Sequence, residues 1–471
     1  MDNFLYFYYY IIGRLRRIYF MAIPENKQEF KMSRIYFTID GATANSIIQL
    51  VGGTFIAALM TTLGISDSAN GMISAIAVLA CCIQPISSAV TANLKKYKFF
   101  VCFTAIVHRL LFAYIFFIPL HNMASNYKII LFVACFLLGH VFLQVGIPAA
   151  SDWIASLVPQ KLRGKYFGIR DLIGVFFMSL SMIIAAITLD YYKNSNNLLT
   201  GFLVIGGIVF ILAVINIIAL SKVKEPKIAY TNETGKEMHG RLAKSMKTKE
   251  KNNFWADVKG AVTHKKYKKV IFLFVIWQSL LYLSMPYNAI YYIKELNLPY
   301  TFITAIVFGA NMIRMAATPI WAKFGDKRGM AKTLKYAYGC MFLCNLLLAF
   351  TLPHNAYLLY PISMVIGSLG WAFIGVGLLG VQLDYIPHDK RISYMSINAA
   401  ISGLTGFLAS YAGGKILSYI QNNPLIIGNQ NIYAQQVLNI MSCIIAVFLF
   451  FYIKFFLQKE SKIVNVTDGR M

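Results

Sequence analysis

The sequence contains few charged residues, and few of those are acidic. Of its 471 residues, 58% are hydrophobic and 13% are charged, and 44 lysines and arginines outnumber 19 acidic residues. A soluble protein carries about 25% charged residues, so this composition indicates a chain with many membrane-spanning segments. A net charge of +25 would also fit a nucleic-acid-binding protein. The basic residues lie between apolar runs, however, where they orient membrane helices, so we expect a lipid bilayer and no nucleic acid as partner.

The sequence lacks the motifs of several enzyme and pump classes. It has no G-x-x-x-x-G-K-[ST] phosphate loop, so we do not expect this chain alone to be an ATP-driven pump. It has no cluster of His, Asp and Glu, or of Ser and His, at a span end, as a membrane enzyme would need. The seven cysteines all fall in apolar runs, without the paired spacing of a metal site or a disulfide framework. We therefore expect no enzyme activity, no metal and no cofactor.

What the chain does contain is twelve apolar runs of about 20 residues, the length that the hydrocarbon core of a bilayer requires. The first six, spans 1 to 6, lie at 38–62, 70–92, 99–119, 128–150, 167–189 and 199–220. Spans 7 to 12 lie at 270–292, 301–322, 333–351, 357–380, 396–418 and 434–457. The predicted fold is an all-α polytopic membrane protein, with twelve transmembrane helices arranged as two six-helix halves.

The spans divide the chain into five segments. These are an N-terminal cytoplasmic or interfacial segment (1–35), a first half (36–220), a lysine-rich cytoplasmic linker (221–269), a second half (270–457) and a cytoplasmic tail (458–471). Residues 1–31 combine an aromatic apolar run that is too short to span with a cluster of arginines. An interfacial anchor explains this segment, and so does a start codon assigned too early.

Lysine and arginine are concentrated in the loops on one side of the predicted bundle. That side holds Lys95, Lys96, Lys98, Lys161, Arg163, Lys165, Arg170, Lys323, Lys327, Arg328, Lys332, Lys335, Lys390 and Arg391. The other side holds Lys128, Lys193 and Lys294, near span ends. Because positively charged loops stay in the cytoplasm, we expect a multi-pass protein of the plasma (inner) membrane with both termini cytoplasmic.

One basic turn occurs twice in the chain. The residues of the turn after span 4 recur 228 positions later in the turn after span 10, as Pro159 and Pro387, Arg163 and Arg391, and Tyr166 and Tyr394. A turn repeated between apolar segments indicates two halves related by duplication, in the same orientation in the membrane.

A short motif after span 8 resembles a known family. The segment PIWAKFGDKRG resembles the loop signature G-x-x-x-D-R-x-G of the major facilitator superfamily, with Asp326, Lys327 and Gly329 at matching positions. Ala322 replaces the leading glycine, and Ala92 stands where the loop after span 2 should carry the aspartate. The turn WIASLVPQKLRGKYFGIR also resembles the loop after span 4 in a subgroup of bacterial members with unassigned substrates.

The resemblance implies a secondary active transporter that moves a small solute by alternating access. Two six-helix halves would rock about a central site, with H⁺ or Na⁺ as candidate coupling ion, in a chain that we expect to be a monomer. The cytoplasmic gate would be formed by Asp152, Arg163, Asp326, Lys327, Gly329, Asp384 and Arg391, with Asp326 and Arg391 as a candidate pair. A non-transporting sensor or assembly protein on the same fold is the alternative, and a membrane-embedded enzyme is less favoured.

Polar groups at membrane depth are the candidates for the solute and coupling site, because such groups are costly there. The set is Asn45, Gln49, His140, Gln144, Gln278, Asn288, Asn311, Arg314 and Trp371. Arg314 would hold an anionic group, or else a structural ion pair, and His140 is the one titrating candidate. Interhelical hydrogen bonding would equally explain His140, and packing would explain Trp371. We expect water to reach Asp40, Asp152 and Asp384 near the cytoplasmic span ends.

Overall fold

Helices form nearly all of the described chain in a computed structural model of the protein. The structure describes residues 30–92, 94, 96–158, 163–225, 230–231, 237–238, 254–386, 391–427 and 430–457. The first half contains α1 (Lys31–Leu50), α2 (Gly53–Thr62), α3 (Asp67–Ser74), α4 (Ile76–Leu79), α5 (Gln84–Ala92), α6 (Lys98–Tyr114), α7 (Ser125–Leu157), α8 (Arg163–Asn194) and α9 (Leu198–Ser221). After α10 (Phe254–Thr263), the second half contains α11 (Tyr267–Ile290), α12 (Tyr300–Arg328), α13 (Met330–Ala349), α14 (Ala356–Tyr385), α15 (Arg391–Asn422) and α16 (Ala434–Tyr452).

Short irregular elements complete the described residues. They are 3-10 turns at Ala80–Ile83 and Ile118–Leu120, and π-helical turns at Tyr291–Glu295 and Ile453–Leu457. Two antiparallel pairs of short strands are β1 (Tyr230–Thr231) with β2 (Glu237–Met238), and β3 (Leu425–Ile427) with β4 (Gln430–Ile432). None of these strands lies within a predicted span.

The helices coincide with the predicted spans. Within the described residues, eight helical segments are long and apolar enough to cross a membrane, and the bent pair of α1 and α2 is a ninth. Helices α6, α13 and α15 lie at the three remaining predicted positions. The predicted fold class, an all-α polytopic membrane protein, is confirmed, and the arrangement of the helices is consistent with twelve spans.

Span 1 differs from the continuous helix that we expected over 38–62. Helix α1 begins earlier, at Lys31, and its axis bends by 41° before α2. The bend lies at two consecutive glycines, of which Gly52 is extended and Gly53 has a φ of 52°. A φ in this range is strained for residues with a side chain but costs glycine little, so the Gly52-Gly53 pair explains the break.

The two ends of the helix bundle differ in charge and in packing. We call the end at which Lys96 and Lys327 lie the basic end, and the end at which Asp67 and Asp190 lie the far end. At the basic end each half has its own buried core, one built around Trp153 and the other around Tyr267. The largest core of the first half also includes Tyr300 of the second half, which begins α12 at the far end. Among the described residues, the halves therefore share a buried core toward the far end.

Candidate functional site

The two halves meet along two pairs of antiparallel helices, and the first pair is in contact along most of its length. Ser68 Oγ donates to Gly414 O over 2.8 Å near the far end, and Ser88 Oγ and Ser396 Oγ lie 2.6 Å apart near the basic end. Between them, a Cβ added to Gly403 of α15 would lie 2.5 Å from Val78 O. The α3–α5 segment and α15 thus approach backbone to backbone, which small residues permit.

Tyr287 of α11 joins this contact near the far end. Its hydroxyl donates to Ser410 O over 2.5 Å, and Ser410 Oγ in turn donates to Gly71 O over 3.1 Å. A Cβ added to Gly71 would lie 1.9 Å from Cε1 of the Tyr287 ring. The ring therefore occupies the space that any side chain at position 71 would need, and it ties α3 to α11 and α15.

The second pair, α8 and α12, is tied together at the far end by a carboxylate. Asp190 of α8 accepts hydrogen bonds from the backbone N–H groups of Tyr300 (2.9 Å) and Thr301 (2.6 Å), the first residues of α12. A carboxylate at a helix N-terminus satisfies unpaired N–H groups and complements the helix dipole. Lys294 and Asp67 form an ion pair between the halves at this end. The far end is therefore held closed by polar contacts as well as by apolar packing.

The face of α8 that carries Asp190 is not covered by α12 toward the basic end. Leu172 lies 18 residues before Asp190, and Gly168 lies 18 residues before the buried Ala186, a separation that returns each pair to one side of the helix. Leu172 is 42% exposed, and a Cβ added to Gly168 would meet no atom within 4 Å. Helix α12 thus covers this face of α8 only in its far part, which leaves the halves apart at the basic end of this pair.

Arg314 lies on the face of α12 where three helices meet. Asn311, one turn earlier, donates to Ser179 Oγ of α8 over 3.2 Å, and Trp321, two turns later, packs on Phe373 of α14 with ring centroids 6.0 Å apart. Arg314 is half-buried between these contacts. Its guanidinium forms no ion pair or hydrogen bond with any described residue, so the arginine is an uncompensated cation inside the bundle.

His140 and Gln144 of α7 lie on one face, as their spacing predicts, but in different surroundings. His140 is buried in the first-half core against Phe112 and Phe136, with ring centroids 4.9 and 4.5 Å away, and neither ring nitrogen has a hydrogen-bond partner among the described residues. Gln144 accepts a 2.6 Å hydrogen bond from Gln84 Nε2, which links α7 to α5. These contacts favour packing for His140 and interhelical bonding for Gln144.

Other members of the predicted set also bridge helices. Asn288 accepts from Asn439 Nδ2 of α16 over 3.4 Å. Trp371 packs edge-on against Trp277 of α11 at 5.4 Å, within an aromatic cluster of the second half. Asn45, Gln49 and Gln278 are half-buried, and Asn45 lies against Gly174 of α8. The set is therefore not a single cluster, and its members divide into interhelical contacts and side chains that are still partly accessible.

A buried charge cluster in the first half was not among the predicted site residues. Arg109 Nη2 lies 3.0 Å from Asp40 Oδ1, and Arg170 Nη2 lies 3.6 Å from Asp40 Oδ2. Asn216 Nδ2 donates to Asp40 Oδ1 (3.1 Å) and to Thr43 Oγ1 (2.7 Å). The expectation that water reaches Asp40 is wrong, because Asp40 is only 8% exposed. The signal was present in the sequence as opposite charges within the apolar runs of spans 1 and 3.

The predicted gate residues lie at the basic end, and the structure describes some of them. Lys327 and Asp384 are exposed, and Gly329 joins α12 to α13 with a φ of 91°. Asp152 is half-buried and engaged with other groups. The side chains of Arg163, Asp326 and Arg391 lie outside the described part of the chain, as do Pro159 and Pro387, so the Asp326–Arg391 pair stays a prediction. No group of described residues could hold a metal ion.

One protein family matches most of the chain. The model described as Major Facilitator Superfamily matches residues 41–410, whereas no curated protein matches the sequence significantly. Among solved structures, the D-xylose-proton symporter is similar with a TM-score of 0.68 at 15% identity, over 89% of this chain and 97% of that one. A variant of the nucleoside transporter NupG gives 0.65 at 11% identity, over 90% and 99%. A bacterial homologue of the iron transporter ferroportin, in an inward-facing state, gives 0.60 at 12%, over 89% and 98%.

Proposed function

Because the chain belongs to the major facilitator superfamily, we propose that it is a secondary transporter that moves a small solute across a membrane by alternating access. The family and the fold are those of transporters, not of an enzyme. Alternating access requires two bundles that rock about a central site, with contacts at one end that form as those at the other end break.

The unequal closure of the two ends is the observation that supports this mechanism. At the far end, Asp190 and Asp67 bind groups of the second half, and Tyr300 enters the first-half core. At the basic end the cores are separate, and α8 is uncovered at Gly168 and Leu172. A bundle closed at one end and partly open at the other corresponds to one of the two states of a rocking transporter.

The proposed orientation of the chain in the membrane follows from the distribution of basic residues. The basic end, both termini and the linker over 221–269 lie in the cytoplasm, and the membrane is the plasma membrane. The structure then represents a state that faces inward. The halves, 36–220 and 270–457, move as rigid bodies in a monomer. H⁺ is the preferred coupling ion because one similar structure is a proton symporter, and Na⁺ is the other candidate.

The solute path in this proposal runs between α8 and α12 toward the half-buried polar groups of the predicted set. The partly accessible side chains would contact the solute, and the bridging ones would hold the helices. The proposed contacts are Asn45, Gln49, Gln278, Arg314 and Asn311, which is partly accessible although it also bridges α12 to α8. The remaining members, His140, Gln144, Asn288 and Trp371, would position the helices that carry them.

A reversible cross-link at the far end tests this mechanism. Ser68 and Gly414 are replaced by cysteine in a protein whose seven native cysteines have been removed; a Cβ added to Gly414 would lie 3.0 Å from Ser68 Oγ. We expect a disulfide to form and to stop solute movement, because the two halves can then no longer part at this position. Reduction should restore transport, and flux is measured in proteoliposomes with a panel of radiolabelled solutes.

Each single-cysteine variant serves as the matched control, because it can form no cross-link between positions 68 and 414. If the disulfide forms and flux continues at its former rate, the halves do not separate here during transport. A chain that moves no solute in any state would instead support the sensor or assembly alternative.

A further inference from the structure

We infer that the solute carries an anionic group, a carboxylate or a phosphate ester, and that Arg314 binds it. This inference rests on the proposed transport function and adds a substrate class to it. It depends on where Arg314 lies, on the absence of a protein counter-ion among the described residues, and on the charge balance of the interior.

Arg314 faces the interior of the bundle and not the lipid. On its side of α12, the flanking Ala310 and Ala317 are buried, and Asn311 reaches across to α8. On the opposite side, Gly309 and Ala316 are exposed. A residue on the packed side of a helix that nevertheless stays half-accessible lines an internal space, here the space between α8, α12 and α14. The position also lies away from the tightly closed far end, on the side where α8 becomes uncovered.

No described carboxylate is available to neutralise Arg314. Asp40, a buried acid within the spans, already binds Arg109 and Arg170 at 3.0 and 3.6 Å. That cluster contains two cations and one anion, so its net charge is positive. With Arg314 added, these four groups (Asp40, Arg109, Arg170 and Arg314) carry an excess of two positive charges.

An uncompensated arginine at membrane depth is costly unless a partner reaches it. The planar guanidinium binds carboxylate and phosphate oxygens through two parallel hydrogen bonds, which gives orientation as well as affinity. The amide of Asn311, one turn away, adds polar groups on the same face. A solute anion that enters from the basic end would supply the missing counter-ion, and a neutral solute would not.

Matched pairs of compounds, one member anionic and the other neutral, test this inference. The purified protein is heated with glucose or glucose phosphate, uridine or uridine monophosphate, and succinate or succinamide. A ligand that binds the folded state raises the unfolding temperature, and at a given concentration a tighter ligand raises it more. We expect stabilisation by the charged member of at least one pair, and none by its neutral counterpart. The succinate pair reports on carboxylates, and the other two pairs report on phosphate esters.

Variants at Arg314 separate specific binding from a general effect of charge. Arg314→Gln should weaken binding of the stabilising anion by about tenfold to a hundredfold, whereas Arg314→Lys should retain part of the affinity because the charge remains. Lys323→Gln is the control, since it removes a positive charge from the exposed side of the same helix. Binding of the neutral members, unchanged affinity in Arg314→Gln, or no binding by any anion would overturn the assignment. None of these results bears on the disulfide test, whose failure would count against alternating access itself.

Discussion

Replacing Asp40 with Asn should destabilise the protein by about 3–5 kcal/mol, because it removes one partner of a buried ion pair and leaves the other charge without compensation. Arg109 is only 4% exposed, and its Nε and Nη1 atoms already lack partners among the described residues. Loss of the Asp40 carboxylate would leave the guanidinium with no counter-ion in a medium of low dielectric constant. The measurement is the unfolding midpoint of the purified protein in detergent, compared with that of the unmodified chain.

Two further variants show whether the charge is the cause. Asp171→Asn removes an acid next to Arg170 on α8, but Asp171 is exposed, so we expect a change within about 0.5 kcal/mol. The double variant Asp40→Asn/Arg109→Gln should recover part of the lost stability, since the isolated charge is gone. An Asp40→Asn protein that unfolds at the unmodified temperature would show that the pair contributes nothing to stability.

Replacing Gly71 with Val should force the far end apart. A Cβ at this position would lie 1.9 Å from Cε1 of Tyr287, a ring that is itself held by Ser410, so the neighbour cannot move without breaking a hydrogen bond. Overpacking of this kind costs about 1–3 kcal/mol or more. The strain applies to the state that is closed at the far end, so the variant should favour the opposite state. The measurement is the labelling rate of a cysteine placed at Ser68, which should rise.

Gly309→Ala is the matched control for this substitution. Gly309 also lies within a helix, but a Cβ there would meet no atom within 4 Å. Alanine should therefore leave the labelling rate unchanged and raise helix stability by up to about 1 kcal/mol. Equal labelling rates at Ser68 in the Gly71→Val protein and in the Gly309→Ala protein would show that the far end does not depend on the Gly71–Tyr287 contact.

The fold could be predicted from the sequence because the formation of membrane helices depends on hydropathy, which can be read directly from a sequence. A run of apolar residues of sufficient length must become a helix in the hydrocarbon core, so the twelve predicted spans coincide with helices. The break in span 1 was not predicted, because it depends on backbone conformation and not on hydropathy. The consecutive glycines at Gly52 and Gly53 were the available signal, but glycine is also common in unbroken membrane helices.

The candidate site could be predicted only in part, because pairing between distant residues is not visible in one sequence. Depth in the membrane marked Arg314 as a candidate, and its lack of a described partner became clear only in the structure. Asp40 and Arg109 were each visible as charges, yet their contact depends on how α1 packs against the rest of the first half. His140 was chosen for its titration range, whereas its aromatic surroundings depend on Phe112, which lies on a different helix.

The most direct test of alternating access is a pair of distances measured on the same protein. Spin labels at Asn196 and Asn423 report on the far end, and labels at Lys96 and Lys327 report on the basic end; all four residues are exposed. The measurement is the distance distribution of each pair in lipid nanodiscs, with and without the anion that stabilises the protein. Alternating access predicts a second population in which the far-end distance is longer and the basic-end distance is shorter. Two distances that stay fixed, or that lengthen together, would contradict it.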